Sequence, residues 1–582
     1  MYYQTENPAF IEQTQNPLQR GFTKGSSPMN SSMILEEYIR ESKDLKKDVY
    51  IAFLDAKSAF DVVDHASLMR RLFQIGIDGG LWNLIYSLHT NAQTVVRWVG
   101  QTTESFSIQQ GVRQGGILST DMYKIYLNPQ LNRLSESGKG GTIGEIDCSA
   151  PTAADDIAAV TDEAPSLQSL VSISDDFSRM ERYLLQPEKS VVMAIPGAKK
   201  PKEMQGNEKW NIYEKEMPIV TEAMHMGLRR SSVSEEVTIS ENITKSRRSF
   251  YSLMSADLQG MDPETAIQLY QTYVLPVLNY GLEVVLPKQK YLDILERQHR
   301  KFMKHILALP VNTADAAIYI LSGTIPIEGY IHKRALSLYG NICRLDQTSI
   351  EWRLAERQLS TKTDKSNSWF IAVKKIFVKY GLNDPSEMLF EPIAKLTWKR
   401  ILNQHVNQYW VDKIKFESTL YPSLRFLSSS TYTVGKRHSL LQNVRNQQEI
   451  PRIRLKLKVV TGTYILQVNR SSFNQNRIDP TCLMCGDGDE TIEHFILDCV
   501  ALSHIRVPIL KEIRDICNKS YPVSDSKMLL QIILDSHLIL NVDTKTETAI
   551  MLEYQCRRLC FSLHCERYKI LGLIPNRKRR KL

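Results

Sequence analysis

The chain has 582 residues, 42% hydrophobic and 24% charged, with a formal net charge of +9 and a pI near 8.9. That balance excludes a disordered acidic chain and leaves a soluble protein of several domains able to accept a polyanionic partner. Nine cysteines, an odd number, behind a polar start that carries Glu6 and reads as no secretory signal, exclude a disulfide framework and leave metal binding or burial. The richest apolar stretch, 270–286, is interrupted by Gln271, Pro276, Asn279 and Glu283, so it fits a buried helix and not a bilayer span.

Polar or Gly/Pro-rich breaks at 196–208, 360–368 and 428–437 divide the chain into four parts. From 19 to 195, short apolar runs such as 49–54 alternate with amphipathic stretches such as 68–73 and 81–88, which predicts an α/β region. From 238 to about 347 the apolar residues fall at helical spacing, through Ile267, Tyr270, Val274 and Leu278 and again through Leu292, Leu295, Phe302 and Ile306. A helical middle ends near 420, followed by a basic strand-like segment, a cysteine cluster and a closing helix.

The first chemically informative segment is Val49-Tyr50-Ile51-Ala52-Phe53-Leu54-Asp55, an apolar run that ends in a carboxylate. A strand of this kind places the acid at the exposed end of a rigid element, where a divalent cation can be held; the competing reading is an Asp that caps the next helix. Next comes Gly111-Val112-Arg113-Gln114-Gly115-Gly116, then a helical pattern over 122–131. It reads as a loop whose bare backbone can approach a base or sugar closely, or simply as a flexible loop. The third segment is Thr152-Ala153-Ala154-Asp155-Asp156-Ile157, 100 residues after Asp55. Adjacent carboxylates repel unless a cation or solvent intervenes; the alternative is an exposed turn. Three carboxylates suffice to hold two Mg²⁺ ions about 4 Å apart.

In this order the segments resemble the polymerase motifs of reverse transcriptases from non-LTR (LINE-like) retrotransposons. Leu18-Gln19-Arg20-Gly21-Phe22 with Lys24-Gly25-Ser26-Ser27 resembles the segment ahead of the palm, Leu54-Asp55 through Phe60-Asp61 the first acidic motif, and Gly111 to Gly115 with Leu118-Ser119 the glycine motif. Ala154-Asp155-Asp156 resembles the acidic hairpin, Pro187-Glu188-Lys189-Ser190 the lysine-bearing segment, and His225-Met226-Gly227 the primer-grip turn. The stretch with Leu275-Pro276 and Asn279-Tyr280-Gly281, and then Leu295-Glu296-Arg297-Gln298, looks like the thumb.

The resemblance implies an α+β palm and fingers followed by a mostly helical thumb and C-terminal region with a small zinc knuckle. It divides the chain into 1–48 (partial fingers), 49–237 (palm), 238–347 (thumb), 348–430 (helical connector), 431–510 (basic strand and knuckle) and 511–582 (C-terminal helices and basic tail). The implied activity is RNA-directed DNA polymerisation on an RNA template from a DNA primer, using deoxynucleoside triphosphates and two Mg²⁺ ions. Asp55, Asp155 and Asp156 would be the metal ligands, and Lys189 would protonate the leaving pyrophosphate, against the plainer reading of a surface lysine. Phe60 would stack beneath the sugar and exclude a 2′-hydroxyl, which speaks against an RNA-dependent RNA polymerase. Arg113, Gln114 and Gly115 would bind the template and nascent pair.

The chain departs from that pattern at Ala153, where an aromatic residue is usual, and at Thr120, where proline is usual. Only 18 residues precede Gln19, so the fingers read as truncated and the chain as a partial copy. No endonuclease signature appears, so nicking would have to come from a missing upstream region or another protein. The alternative function is an inactive nucleic-acid-binding remnant of such an element.

Cys482, Cys485, His494 and Cys499 form a Cys-x2-Cys-x8-His-x4-Cys array, four soft ligands that can close a tetrahedron around one structural Zn²⁺. The spacing resembles the knuckle that follows the polymerase in non-LTR elements. Its loop is acidic, with Asp487, Asp489, Glu490, Glu493 and Asp498, so phosphate is expected next door, on Arg452, Arg454, Lys456 and Lys458. As a strand, that alternating segment would present four cations on one face for nucleic acid; the other reading is a charged edge strand. Cys556, Cys560, His564 and Cys565 fall on a helical pattern and read as core packing or a second metal group. The tract Arg577-Lys578-Arg579-Arg580-Lys581 reads as a nuclear localisation signal or as a basic tail that clings to phosphate, so a nuclear and cytoplasmic location is expected.

Overall fold

The computed structural model describes residues 14–197, 208–255, 260–520, 523, 525–540 and 546–572. The chain divides into two compact units, each assembled from separated stretches. The first comprises Met1–Glu241, Tyr280–Pro287 and Ile331–Ile401, and the second Asn242–Asn279, Lys288–Tyr330 and Leu402–Leu582.

The first unit opens with helix α1 (Pro28–Leu45) and is organised around strand β1 (Val49–Leu54). The strand is apolar almost throughout because both of its edges and both of its faces are used. It pairs antiparallel with β3 (Asp156–Thr161) on one side and β4 (Val191–Ile195) on the other, and β2 (Thr152–Ala153) extends the sheet to the order β4-β1-β3-β2. Helix α5 (Ala164–Met180) packs on β1 and β3. Ile51, Phe53 and Leu54 are buried, each burial favouring the fold by roughly 1.5–3 kcal/mol. The expected amphipathic stretches form helices α2 (His65–Gln74) and α3 (Gly79–His89), and the pattern after the glycine loop forms α4 (Ser119–Glu136). A hairpin of β5 (Glu222–His225) and β6 (Leu228–Ser231) completes the elements that matter for the site.

The second unit is helical in the stretches expected to be helical, including α6 (Gln289–Ile306), whose Leu292, Leu295, Phe302 and Ile306 are all buried. The stretch 270–286, of which residues 280–286 belong to the first unit, is not one helix. It breaks into short turns, a π-helical turn at Tyr270–Val274, then Leu275–Leu278 and Leu282–Val285, because Pro276 lacks an amide donor and Gly281 takes φ +70°. No helix among the described residues is long and apolar enough to cross a membrane.

The basic segment corrects the sequence reading. Residues expected as a strand lie in helix α7 (Glu449–Val460), with Pro451 in its first turn, where a missing amide costs nothing. Alternation of charge suggested a period of two. Ile450, Ile453, Leu457 and Val460 lie at helical spacing, are all buried, and decided the outcome. The four cations therefore do not share a face. The Lys456 ammonium is buried against the Glu553 carboxylate at 2.7 Å, Arg454 is half-buried, and Arg452 lies over the Tyr554 ring at 5.7 Å, with Lys458 partly exposed. Helix α8 (Glu547–Ile570), which supplies Glu553, also buries Cys556 and Cys560, and its His564 ring bonds the Tyr464 hydroxyl at 2.9 Å. Cys565 is exposed, so this second group is core packing and not a metal set. The basic tract 577–581 lies outside the described residues.

Candidate active site

Asp55 is the first residue beyond β1, and Asp156 is the first residue of β3. Leu54 pairs with Ile157, so continuing the register by one step sets Asp55 level with Asp156 at the ends of neighbouring strands, where facing residues have Cβ atoms roughly 4.5–5.5 Å apart. Asp155 occupies the two-residue turn between β2 and β3, made possible by Ala154 at φ +61°. The helix-cap alternative for Asp55 does not hold. The next helix is α2, and its cap is Asp64, which accepts the Ser67 amide at 2.8 Å.

Asp155 and Asp156 feel the neighbouring carboxylates. Burial raises the pKa of Asp155 above the ordinary 3.8, and the Asp55 charge raises it further. Asp156 keeps an exposed surface, yet the surrounding protein still raises its pKa, helped by the charges of Asp155 and Asp55 and opposed by the Met226 amide. Among the described residues no basic side chain offsets either group, so the site is a concentration of negative charge.

The backbone holds that arrangement on both sides. The Gln186 amide donates to the Asp55 carbonyl at 2.9 Å, and the Asp55 amide donates to Ser190 Oγ at 3.0 Å. The turn carrying exposed Lys189 is thereby fixed beside Asp55. On the other side, the Gln19 carboxamide grips Ala154 twice, accepting its amide at 2.9 Å and donating to its carbonyl at 3.0 Å. Gly21 lies so close that a Cβ there would be 2.1 Å from Ala154 N. Gln19 belongs to the segment ahead of the palm, but nothing in the residue pattern marks it as the clamp on the acidic turn.

Phe60 stacks on Tyr123 at 4.4 Å between ring centroids, and the edge of Phe22 closes on it at 6.1 Å. Burial, then the Asp155 charge, keep the Tyr123 phenol protonated well above its usual range, so this aromatic platform adjoins the carboxylates. The residue pattern does not single out Tyr123, one apolar position among many in a helical stretch. Gln114 Nε2 donates to Asp61 at 3.2 Å, and Arg113, Gln114 and Gly115 are exposed. Gly111 is needed where it stands, since at φ +91° a Cβ would meet the Asp61 carbonyl at 2.7 Å. The loop therefore leans on the segment that follows Asp55.

At the Met226-Gly227 turn joining β5 to β6, both residues have positive φ. The Met226 amide donates to Asp156 Oδ2 at 3.2 Å, and the Tyr280 hydroxyl donates to the Met226 carbonyl at 2.9 Å. Burial holds the His225 imidazole neutral against the Phe53 ring at 5.1 Å.

In the second unit, the ligand atoms of Cys482, Cys485, His494 and Cys499 all lie within 4.8 Å of one another. Cys482 and Cys499 sulfurs are 3.9 Å apart, and Cys485 Sγ is 3.3 Å from His494 Nε2. Tetrahedral Zn–S bonds of about 2.3 Å would give sulfur–sulfur edges of roughly 3.8 Å, so the donor set fits a closed four-coordinate centre. Glu490 is not part of an acidic surface; it is buried, accepting from Arg567 at 2.7 and 2.9 Å and from the Gln467 amide at 2.7 Å.

Residues 4–225 match the family described as reverse transcriptase (RNA-dependent DNA polymerase). A retrovirus-related Pol polyprotein from type-1 retrotransposable element R2 of Popillia japonica is 26% identical over 52% of this chain and 43% of its own length. A second such protein from that organism is 25% identical over 61% of each chain. The type-2 R2DM Pol polyprotein of Drosophila melanogaster is 22% identical over 83% of this chain and 43% of its own. The chain thus spans about half the length of these relatives. Among solved structures, an apo telomerase from Candida tropicalis covers 62% of this chain and 59% of its own at 12% identity and a TM-score of 0.30.

Proposed function

Residues 4–225 are a reverse transcriptase domain related to those of R2 non-LTR retrotransposable elements, and from that premise we propose that the chain is an RNA-directed DNA polymerase. It extends a primer 3′-hydroxyl with deoxynucleotides on an RNA template. The observation that carries this reading is the convergence of Asp55, Asp155 and Asp156 at one end of the sheet, with no basic side chain among the described residues to offset the charge of Asp155 or Asp156. Such a set fits two Mg²⁺ ions, which when bound neutralise developing charge and acidify the attacking hydroxyl.

The chain's own residues then position the reactants. Phe60, braced by Tyr123 and Phe22, forms the floor under the sugar and selects deoxyribose. The exposed Arg113-Gln114-Gly115 backbone faces the new base pair. Met226, tied to Asp156, sets the primer end relative to the carboxylates, and Lys189 supplies a proton to the departing pyrophosphate. In the second unit the Cys3His set holds one structural Zn²⁺, and Arg452 and Lys458 are the cations of α7 left to meet phosphate. The basic tract 577–581 directs the protein to the nucleus, where a LINE-like element meets its target.

Primer extension on an RNA template with Mg²⁺ tests the proposal. Asp155→Ala should cut incorporation by about a hundredfold or more, because a metal ligand carries several kcal/mol of transition-state stabilisation. Equal incorporation by both proteins would remove the basis for a polymerase.

A further inference from the structure

Asp55 is mounted on residues 184–190. Beyond β1, Ala56 faces Leu185 across a single antiparallel bridge. The Lys57 amide donates to the Leu184 carbonyl at 2.9 Å and the Gln186 amide to the Asp55 carbonyl at 2.9 Å, one bond on each side of that pair. In an antiparallel pair of this kind the flanking groups bond across the ladder, and the amide of the paired residue points away from it. The Leu185 amide is thus turned away from Asp55, on a residue only 3% exposed, and needs a partner from elsewhere.

Tyr213 supplies that partner. Its hydroxyl accepts the Leu185 amide at 3.0 Å and also bonds Ser178 Oγ. Ser178 donates its own proton to the Asp175 carbonyl at 2.8 Å, so the phenol proton goes to Ser178 Oγ and the phenol oxygen is left to accept. The Tyr213 amide donates to Asp175 Oδ2 at 3.0 Å, and the Arg179 guanidinium lies 5.1 Å from the ring centroid, both from α5. Tyr213 and Glu214 form the tip of a hairpin that pairs Asn211–Ile212 with Lys215–Glu216, at φ +50° and +69°. That left-handed backbone is unfavourable for both residue types, where Asn-Gly would be relaxed, so the tip is kept for the side chain it presents and not for an easy turn.

We infer that Tyr213 is a positioning residue for nucleotidyl transfer, acting through Leu185 on Asp55 and on the turn that carries Lys189; the inference rests on the polymerase reading. Its hydrogen bonds go to Leu185, Ser178 and Asp175, and through them it ties α5 to the segment against which Asp55 is registered. Without the hydroxyl the buried Leu185 amide is stranded and the mount shifts. Asp55 then moves relative to Asp155 and Asp156, and a displacement of about 1 Å is enough to slow an oriented transfer.

Primer extension by the full chain tests this. Tyr213→Phe, which removes one oxygen and no bulk, should lower kcat about tenfold while KM for the nucleotide and Kd for primer-template stay within about twofold. Lys209→Ala, which breaks the exposed Lys209–Glu216 pair at 2.8 Å in the same hairpin, should leave all three unchanged. Hydrogen exchange adds a readout independent of activity: in Tyr213→Phe the amides of 184–190 should exchange about tenfold faster, and those of 49–53 at the wild-type rate. A Tyr213→Phe protein with wild-type kcat, one whose kcat and primer-template affinity fall together, or unchanged exchange at 184–190 would each overturn the inference and leave the polymerase standing. Wild-type protein that extends no primer would instead remove the reading on which it rests.

Discussion

At the scale of single residues, the consequences concentrate on the acidic turn. The pKa of Asp155 is raised in the folded chain, so folding favours its protonated form. A raised carboxylate pKa means that stability falls as pH climbs through the window above 3.8, where the unfolded chain has already lost the proton and the folded one resists losing it. Asp155→Asn should therefore raise the melting temperature of the metal-free protein at pH 7, and the gain should vanish below about pH 4, where both states hold the proton. Thermal scans across pH without and with Mg²⁺ would show this, and a gain that persisted at low pH would contradict it. Phe60 makes a separate prediction. Replacing it by Ala opens the space beneath the sugar, and the ratio of ribonucleotide to deoxyribonucleotide incorporation should rise by about tenfold or more; an unchanged ratio would place sugar selection elsewhere.

At the scale of elements, the acidic hairpin works because other segments clamp it. Gly21 packs against Ala154 too closely for any Cβ, so Gly21→Ala should displace the turn and depress primer extension far more than it lowers the melting temperature. A proportionate loss of both would mean that the contact is only structural. Helix α7 offers the opposite kind of test. Lys456 is buried against Glu553, whereas Arg452 is partly exposed. Lys456→Ala should destabilise by roughly 1–3 kcal/mol by removing a charge-assisted hydrogen bond and a buried stem, Glu553 keeping Arg557 as its other partner, while Arg452→Ala should stay within about 0.5 kcal/mol. Chemical denaturation of the two variants separates them, and equal effects would favour the strand that the charge alternation first suggested. That alternation misled because charge repeats every two residues here while burial repeats at helical spacing. Lys456 can be buried because a carboxylate waits on another helix, which residues 452–458 do not reveal.

At the scale of the whole molecule, the Cys3His set ties distant chain together. Glu490, inside the array, is held by Arg567 from α8, 77 residues later. Removing the metal with a chelator, or making Cys482→Ser, should raise amide exchange both across 480–500 and in the last turns of α8. Loosening confined to the array would show that the two segments are uncoupled. The sequence by itself determined β1, the acidic turn, the glycine loop and the spacing of the four soft ligands, because period, ligand chemistry and glycine geometry act over a few neighbouring residues. Only the tertiary structure decided that Asp55 and Asp156 stand level, that Gln19 and Tyr123 serve the site, and that the cations of α7 part company. Each of those facts depends on the partner that a distant stretch brings, and burial, which sets both the pKa shifts and the cost of a stranded charge, is a property of the packed chain.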